Sequence, residues 1–505
     1  MVSRVTGLVR GLLVARYFGD ASAADAYNAA LRIPNTVRNL LGEGTISASF
    51  IPVYAGALTR GDTAGARALA NAVLGLLLVA AAALTLLGIA AAPWLTSLLA
   101  GGLAPETAAL TTRLLRVLFP MTGVMVLSGW CLGIQNSHRR FFLAYAAAAA
   151  WSVTQIVLLA VAGPTTTDLV VLVWWLSWAT LGGALLQVAL QAPQVWRLMG
   201  GVRPTLRWSD AGVGQVLRNF VPVVGTLGFA QLSGLIDLRI ASELPTGAVA
   251  VWNYAIPLYL LPLSLFGVAG AAAALPEFAR RTDATAESAL RDGIAAAWSR
   301  VLFYVIPSAV AFMAVGDAVV TLLYFGGAFG DAQVQRVWIV LAAYAVGLVA
   351  FASTRILAAT YHALQDYRTP LRGAGLSLVI SAIGALVLVW PFRDRVEGVA
   401  AIAIGSALGA YVNVAWLASG LARRLHGLSW RGPAVVSGRA LLASIAAGLV
   451  SLGVRAVAPA LSPRIDALVL IAVFGLVFLV VAEGVGLDEA RRLRQRVWQR
   501  VGGRS

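Results

Sequence analysis

The chain has 505 residues, of which 59% are hydrophobic and 12% charged, with a mean hydropathy of +0.82. A soluble protein carries about 25% charged residues, so these values exclude a soluble globular enzyme and fit a polytopic membrane protein. The net charge of +16 comes from arginines scattered through connectors between apolar runs, which favours an anionic lipid surface over nucleic acid as their partner.

All 38 basic residues are arginine, alongside abundant alanine and glycine, so arginine at a connector position carries no special weight over lysine. The single cysteine, Cys131, lies in an apolar stretch, which leaves no internal disulfide and no thiolate metal site. His138, His362 and His426 fall in short charged connectors and read as surface residues, so neither a metal centre nor a catalytic histidine is expected.

Runs long enough to cross about 30 Å of hydrocarbon fall near 2–18, 23–56, 69–92, 112–136, 141–162, 168–192, 211–242, 247–276, 293–323, 333–361, 370–391, 397–421, 434–457 and 465–486. They predict an all-α polytopic membrane fold of about fourteen transmembrane helices. The first run, with roughly 17 residues from Val2, is marginal in length and leaves the true start codon open. No A-x-A-like cleavage site follows it, so it is expected to stay in the membrane.

Connectors after even-numbered spans carry Arg60 and Arg67, Arg139 and Arg140, Arg203 and Arg207, Arg280, Arg281 and Arg291, Arg368 and Arg372, then Arg423, Arg424 and Arg431. Those after odd-numbered spans are mostly bare; the exceptions, Arg393, Arg395 and Arg464, stand beside Asp394, Glu397 and Asp466. The positive-inside rule then puts both termini in the cytoplasm. The tail 487–505 reads either as a basic amphipathic helix on the inner surface or as a solvated tail.

The end of span two, SFIPVYAGALTR, resembles the end of span eight, AALPEFARR. An even number of spans separates the copies, which makes the repeat parallel. The expected organisation is an N-terminal lobe over 1–200, a C-terminal lobe over 201–430, two additional helices over 431–486 and the basic tail.

The first two spans hold Arg4, Arg10, Arg16, Arg32 and Arg38. A charge near the bilayer centre costs from about 2.5 to above 10 kcal/mol, so such residues normally face a wet cavity on a substrate or ion path. If span two is helical from Asp25 to Glu43, then Asp25, Asn28, Arg32, Asn35, Asn39 and Glu43 fall within an arc of about 80°, opposite Ala26, Ala30, Val37 and Leu41. Pro34 is expected to kink that helix. At the helical rise, Arg10 lies about 15 Å below the outer connector and Arg38 somewhat deeper, so the two guanidiniums are expected to share one chamber. Arg16, near the outer surface, is expected to snorkel.

Buried guanidiniums short of carboxylates call for an anion, and their planar forks suit phosphate or pyrophosphate. The alternative pairs Arg32 with Asp25 and Arg38 with Glu43. Further along, Asp237 and Arg239 in span seven and Arg355 in span ten are again intramembrane charges, and Asp237 reads either as a candidate cation site or as the partner of an arginine. Span eight carries Pro257 and Pro262 and is expected to bend.

The runs SRVTGLVRGLLVARYFG and ADAYNAALRIPNTVRNLLGEGTISASFIPVY, with GIQNSHRRF at 133–141 and YHALQDYRTPLRG at 361–373, resemble the MurJ (MviN) family over most of the first twelve spans. The resemblance implies a transporter and not an enzyme: a flippase of the bacterial cytoplasmic (inner) membrane for lipid II, the undecaprenyl-pyrophosphate-linked peptidoglycan precursor. It would carry this substrate from the inner to the outer leaflet by alternating access. The fold implied is that of the multidrug, oligosaccharidyl-lipid and polysaccharide exporter (MOP) superfamily, two six-helix lobes around a cationic cavity with two added C-terminal helices.

Arginines of functional importance in the family match Arg4, Arg10 and Arg38, and its acidic positions match Asp25 and Glu43. On this reading Arg10 and Arg38 hold the pyrophosphate, Arg4 and Arg32 guide it, and Asp25 and Glu43 pair with arginines as the lobes rock. Family members typically carry an arginine in span eight within a YADRL-like sequence, where this chain has Tyr254, Ala255, Ile256, Pro257 and Leu258. Either Arg239 or Arg355 supplies the missing charge from another helix, or the chain is a divergent member with an altered substrate or reduced activity.

No cofactor is implied, with Na+ or the membrane potential as the driving force. The expected partners are the lipid precursor, the bilayer and cell-wall synthesis proteins, around a monomer. Rival readings are an exporter of another polyprenyl-linked glycan or of drugs, and a non-transporting cell-wall scaffold. A polyprenyl-phosphate glycosyltransferase would need an acidic cluster that the sparse Asp and Glu residues do not form.

Overall fold

The computed structural model describes residues 2–206, 211–267, 285–425, 430–459 and 461–502. Among them there is no β-strand, and the expected all-α membrane architecture is what the chain adopts. It divides into two compact units, Met1–Ala250 and Val251–Ser505.

The first unit contains α1 (Val2–Phe18), α2 (Ser22–Leu41), α3 (Glu43–Thr59), α4 (Thr63–Ala100), α5 (Pro105–Ser137), α6 (Phe141–Ala162), α7 (Leu169–Met199), α8 (Ala211–Ser242) and the start of α9 (Ala248–Pro262). Helix ends follow the chain's polar punctuation. The Asp62 carboxylate caps α4 by accepting from the Gly65 amide at 2.7 Å, and Asp168 caps α7 by accepting from Val170 at 2.8 Å. The core of this unit is built by Ile46 and Phe50 of α3, Leu69 and Val73 of α4, Trp130 and Ile134 of α5, and Met199 of α7.

The second unit continues α9 into a π-helical turn at Leu263–Gly267 and then runs α10 (Thr285–Tyr324), α11 (Asp331–Ala363), α12 (Arg368–Val389), α13 (Ala400–Arg424), α14 (Arg431–Val457), α15 (Pro463–Gly484) and α16 (Asp488–Gly502). Phe303 of α10, Ala443 of α14 and Phe474 and Phe478 of α15 anchor its main core. The tail is helical as α16, and its root is held by Leu487 and Ala490 in that core and by an Arg494–Glu483 ion pair at 2.8 Å.

Eleven helices among the described residues are long and apolar enough to cross a membrane. The expected spans outside that set are α1, α2 with α3, and α8, which carry Arg10, then Arg32 and Arg38, then Asp237 and Arg239. Two boundaries differ from expectation. Span two is not one helix: Gly42, with φ −91° and ψ −139°, breaks it into α2 and α3, and a Cβ there would stand 2.5 Å from the Arg38 carbonyl oxygen, so the break takes a glycine. Glu43 therefore opens α3 instead of closing the polar stripe of α2. The compact units also part at Ala250 and not at 200, since α8 lies against α2, α3 and α4.

Candidate functional site: an arginine-lined cavity

In the first unit, Arg10 of α1 and Arg38 of α2 line one cavity of about 390 Å³ together with Ser3, Trp151, Ser152 and Gln187. The depth estimate from helical rise thus placed the two guanidiniums together. Both stand over the indole of Trp151 in α6, with the Arg10 Cζ 4.6 Å and the Arg38 Cζ 5.4 Å from the ring centroid. Arg10 Nη1 is buried with no hydrogen-bond partner among the described residues. Arg38 donates from Nη2 to Asn39 Oδ1 at 3.4 Å. No carboxylate occurs among the described lining side chains.

A polar lattice holds the wall of this cavity. Trp151 Nε1 donates to the Thr180 carbonyl of α7 at 3.1 Å, and Gln155 Nε2 donates to the Trp151 carbonyl at 2.9 Å. Tyr27 of α2 donates from its hydroxyl to Gln155 Oε1 at 3.0 Å and lies 3.0 Å from Thr180 Oγ1. Deeper in the wall, Gln187 Nε2 donates to Ser128 Oγ at 2.8 Å, and Ser128 donates to Gln191 Oε1 at 2.9 Å. Buried polar groups linked in this way cost little once satisfied and fix the side chains they join.

The other candidate residues have different surroundings. Asp25 is 1% exposed and meets backbone instead of arginine: Oδ2 accepts from the Gly247 amide at 2.5 Å and Oδ1 from the Ala250 amide at 2.8 Å, where α9 begins. The expected ion pair of Asp25 with an arginine gives way to a helix cap, because the free amides of a first turn attract a carboxylate. Arg32 lies against Gly234 of α8, whose added Cβ would stand within van der Waals overlap of the guanidinium, one turn before Asp237.

Arg239, on the last turn of α8, pairs with Glu243 just beyond its end and does not line the cavity. In the second unit, Arg355 of α11 donates from Nη1 to the Leu263 carbonyl at 3.4 Å, at the π-helical turn that follows Pro262. Arg16 is exposed. The side chains of Arg4 and Glu43 lie outside the described residues, as do Arg207, Arg280, Arg281 and His426. His138 is not a free surface residue: it is half-buried, with Nε2 3.0 Å from the Tyr54 hydroxyl.

Trp151, Ser152 and Gln187 were missed in the sequence because α6 and α7 read as ordinary apolar spans. The cue was present in the run WSVTQ at 151–155, a cluster of hydrogen-bonding side chains inside an alanine- and leucine-rich helix.

The family model described as Lipid II flippase MurJ matches residues 14–470. Lipid II flippase MurJ of Burkholderia cenocepacia is 33% identical over 435 residues, covering 84% of this chain and 82% of its own. Probable lipid II flippase MurJ of Rhizobium meliloti is 30% identical over 512 residues, covering 98% and 94%. Among solved structures, a lipid II flippase MurJ in an inward closed conformation aligns with a TM-score of 0.78 at 21% identity, over 96% of this chain and 97% of that one. An inward-facing multidrug resistance MATE family transporter of the MOP superfamily aligns with a TM-score of 0.68 at 19% identity, over 83% and 95%. At these identities the two structures establish a shared fold.

Proposed function

The chain belongs to the lipid II flippase MurJ family of multi-pass bacterial inner-membrane transporters, and from that premise we propose that it carries the undecaprenyl-pyrophosphate-linked precursor from the inner to the outer leaflet by alternating access, with the diphosphate held by Arg10 and Arg38. The observation that carries this reading is the shared cavity: two guanidiniums over one indole, one of them with a buried Nη1 that no described group satisfies. Leaving a charged donor unpaired costs several kcal/mol, about what a bidentate anion returns. A diphosphate offers acceptor oxygens on two phosphorus centres, one for each fork.

The Arg32 guanidinium lies against Gly234, one turn before Asp237, which supports an arginine partner over a bound cation at that place. The arginine-rich connectors support cytoplasmic termini, and the lipid tails would remain in the bilayer while the head group crosses.

Native mass spectrometry of the purified protein with undecaprenyl pyrophosphate tests the reading and separates it from drug export. Binding is expected in the wild type and is expected to fall in Arg10→Ala and Arg38→Ala. A protein that binds lipophilic cations and ignores the diphosphate lipid would instead be a drug exporter.

A further inference from the structure

We propose that Trp151 is a positioning residue, the platform that holds the Arg10 and Arg38 guanidiniums at a set spacing and gives the site its preference for a diphosphate over a single phosphate. This deepens the diphosphate reading above and rests on it.

Three features of the site converge on the indole. Both guanidinium carbons are measured from one ring centre, at 4.6 and 5.4 Å, so their separation cannot exceed the sum of those distances. The π face attracts both cations and offsets their mutual repulsion without supplying a formal negative charge. A carboxylate in that place would compete with the substrate; an aromatic face yields to it.

The orientation of the ring is set from outside the cavity. Nε1–H is fixed on the Thr180 carbonyl, and the Trp151 carbonyl receives Gln155 Nε2, which is itself held through Gln155 Oε1 by the Tyr27 hydroxyl. Thr180 of α7 thus holds the indole itself, while Gln155 and Tyr27 brace the turn of α6 that carries it. The third feature is the buried Arg10 Nη1, which has the ring as its guanidinium's neighbour and no hydrogen-bond acceptor among the described residues. A cation desolvated in this way depends most on the π contact. Two forks held on one platform match two phosphorus centres, whereas a monophosphate can fully engage only one of them.

The test uses the full-length protein in detergent, with native mass spectrometry titrations of undecaprenyl pyrophosphate and undecaprenyl phosphate and a thermal unfolding control. Trp151→Leu is expected to lower the preference for diphosphate over monophosphate by roughly tenfold. Trp151→Phe, which keeps a π face, is expected to stay within about threefold of wild type. In an Arg10→Ala/Arg38→Ala background the leucine substitution should have no further effect, because nothing remains for the platform to hold. Trp151→Met reads the same quantity with an unbranched, more adaptable side chain if the leucine variant does not fold.

A wild-type preference in Trp151→Leu or Trp151→Met, or a full additional loss in the double-alanine background, would overturn the role of Trp151 while leaving the diphosphate reading intact. Unchanged diphosphate binding in Arg10→Ala and Arg38→Ala would overturn both.

Discussion

Asp25 of α2 accepts a hydrogen bond from the Gly247 amide at 2.5 Å, and a second from Ala250 at 2.8 Å, so one buried carboxylate caps a helix that begins more than two hundred residues later in the chain. Gly247 has φ +100°, and a Cβ there would stand 2.9 Å from the Asp20 carbonyl, which fits the close approach of the two segments. Asp25→Ala leaves two buried amides without an acceptor and should lower stability by about 2 to 4 kcal/mol. Asp25→Asn keeps one acceptor oxygen and should cost about half as much. Thermal unfolding in detergent, with Gly247→Ala as a second probe of the same contact, checks both values; an unchanged midpoint in Asp25→Ala would show that the cap contributes nothing.

Arg239 makes a contrasting prediction. Its side chain is 41% exposed and pairs with Glu243, itself 53% exposed, four residues on and just past the end of α8. Exposed pairs at this spacing contribute less than about 1 kcal/mol. Arg239→Ala is therefore expected to leave abundance nearly unchanged and to rescue growth of a flippase-depleted bacterium. Failure of rescue at normal abundance would return Arg239 to the substrate path proposed for it from sequence.

Two groups outside the membrane set the response to acid. Burial holds the His138 imidazole below its ordinary value of about 6.5. The unfolded chain then binds the proton more readily, so the stabilisation present above about pH 6.5 is lost as pH falls through the lower folded value. Asp366 is held below the usual carboxylate value of about 3.9 by the Thr369 hydroxyl and amide, with smaller help from Arg424 and the Arg368 amide. Its contribution persists to lower pH, present above about 3.9 and lost as pH falls through its folded value. The unfolding midpoint should therefore fall in two stages on acidification. His138→Gln is expected to flatten the first stage and Asp366→Asn the second.

The apolar runs and their connectors located nearly every helix because hydrophobic length and charge punctuation are local properties. Arg10 and Arg38 were legible for a related reason: depth in a helix follows from counting residues. What the sequence hid was neighbourhood. Periodicity put Asp25 on a polar stripe but could not say that its partners would be the amides of Gly247 and Ala250 instead of an arginine. The break at Gly42 was obscured because the polar stripe of span two continues in register to Glu43, and the close Arg38 carbonyl explains why a glycine stands there. Trp151 lay in an unremarked apolar span, since an aromatic residue announces a cation partner only once the helix beside it is known.

The most direct test of the central claim is leaflet-specific detection of labelled lipid II in proteoliposomes containing the wild type, Arg10→Ala or Arg38→Ala. Loss of a charge-assisted contact worth about 1.5 to 3 kcal/mol predicts a rate at least roughly tenfold lower in either variant, with folded protein incorporated at the wild-type level. Transfer of lipid II at the wild-type rate by both variants would contradict the account.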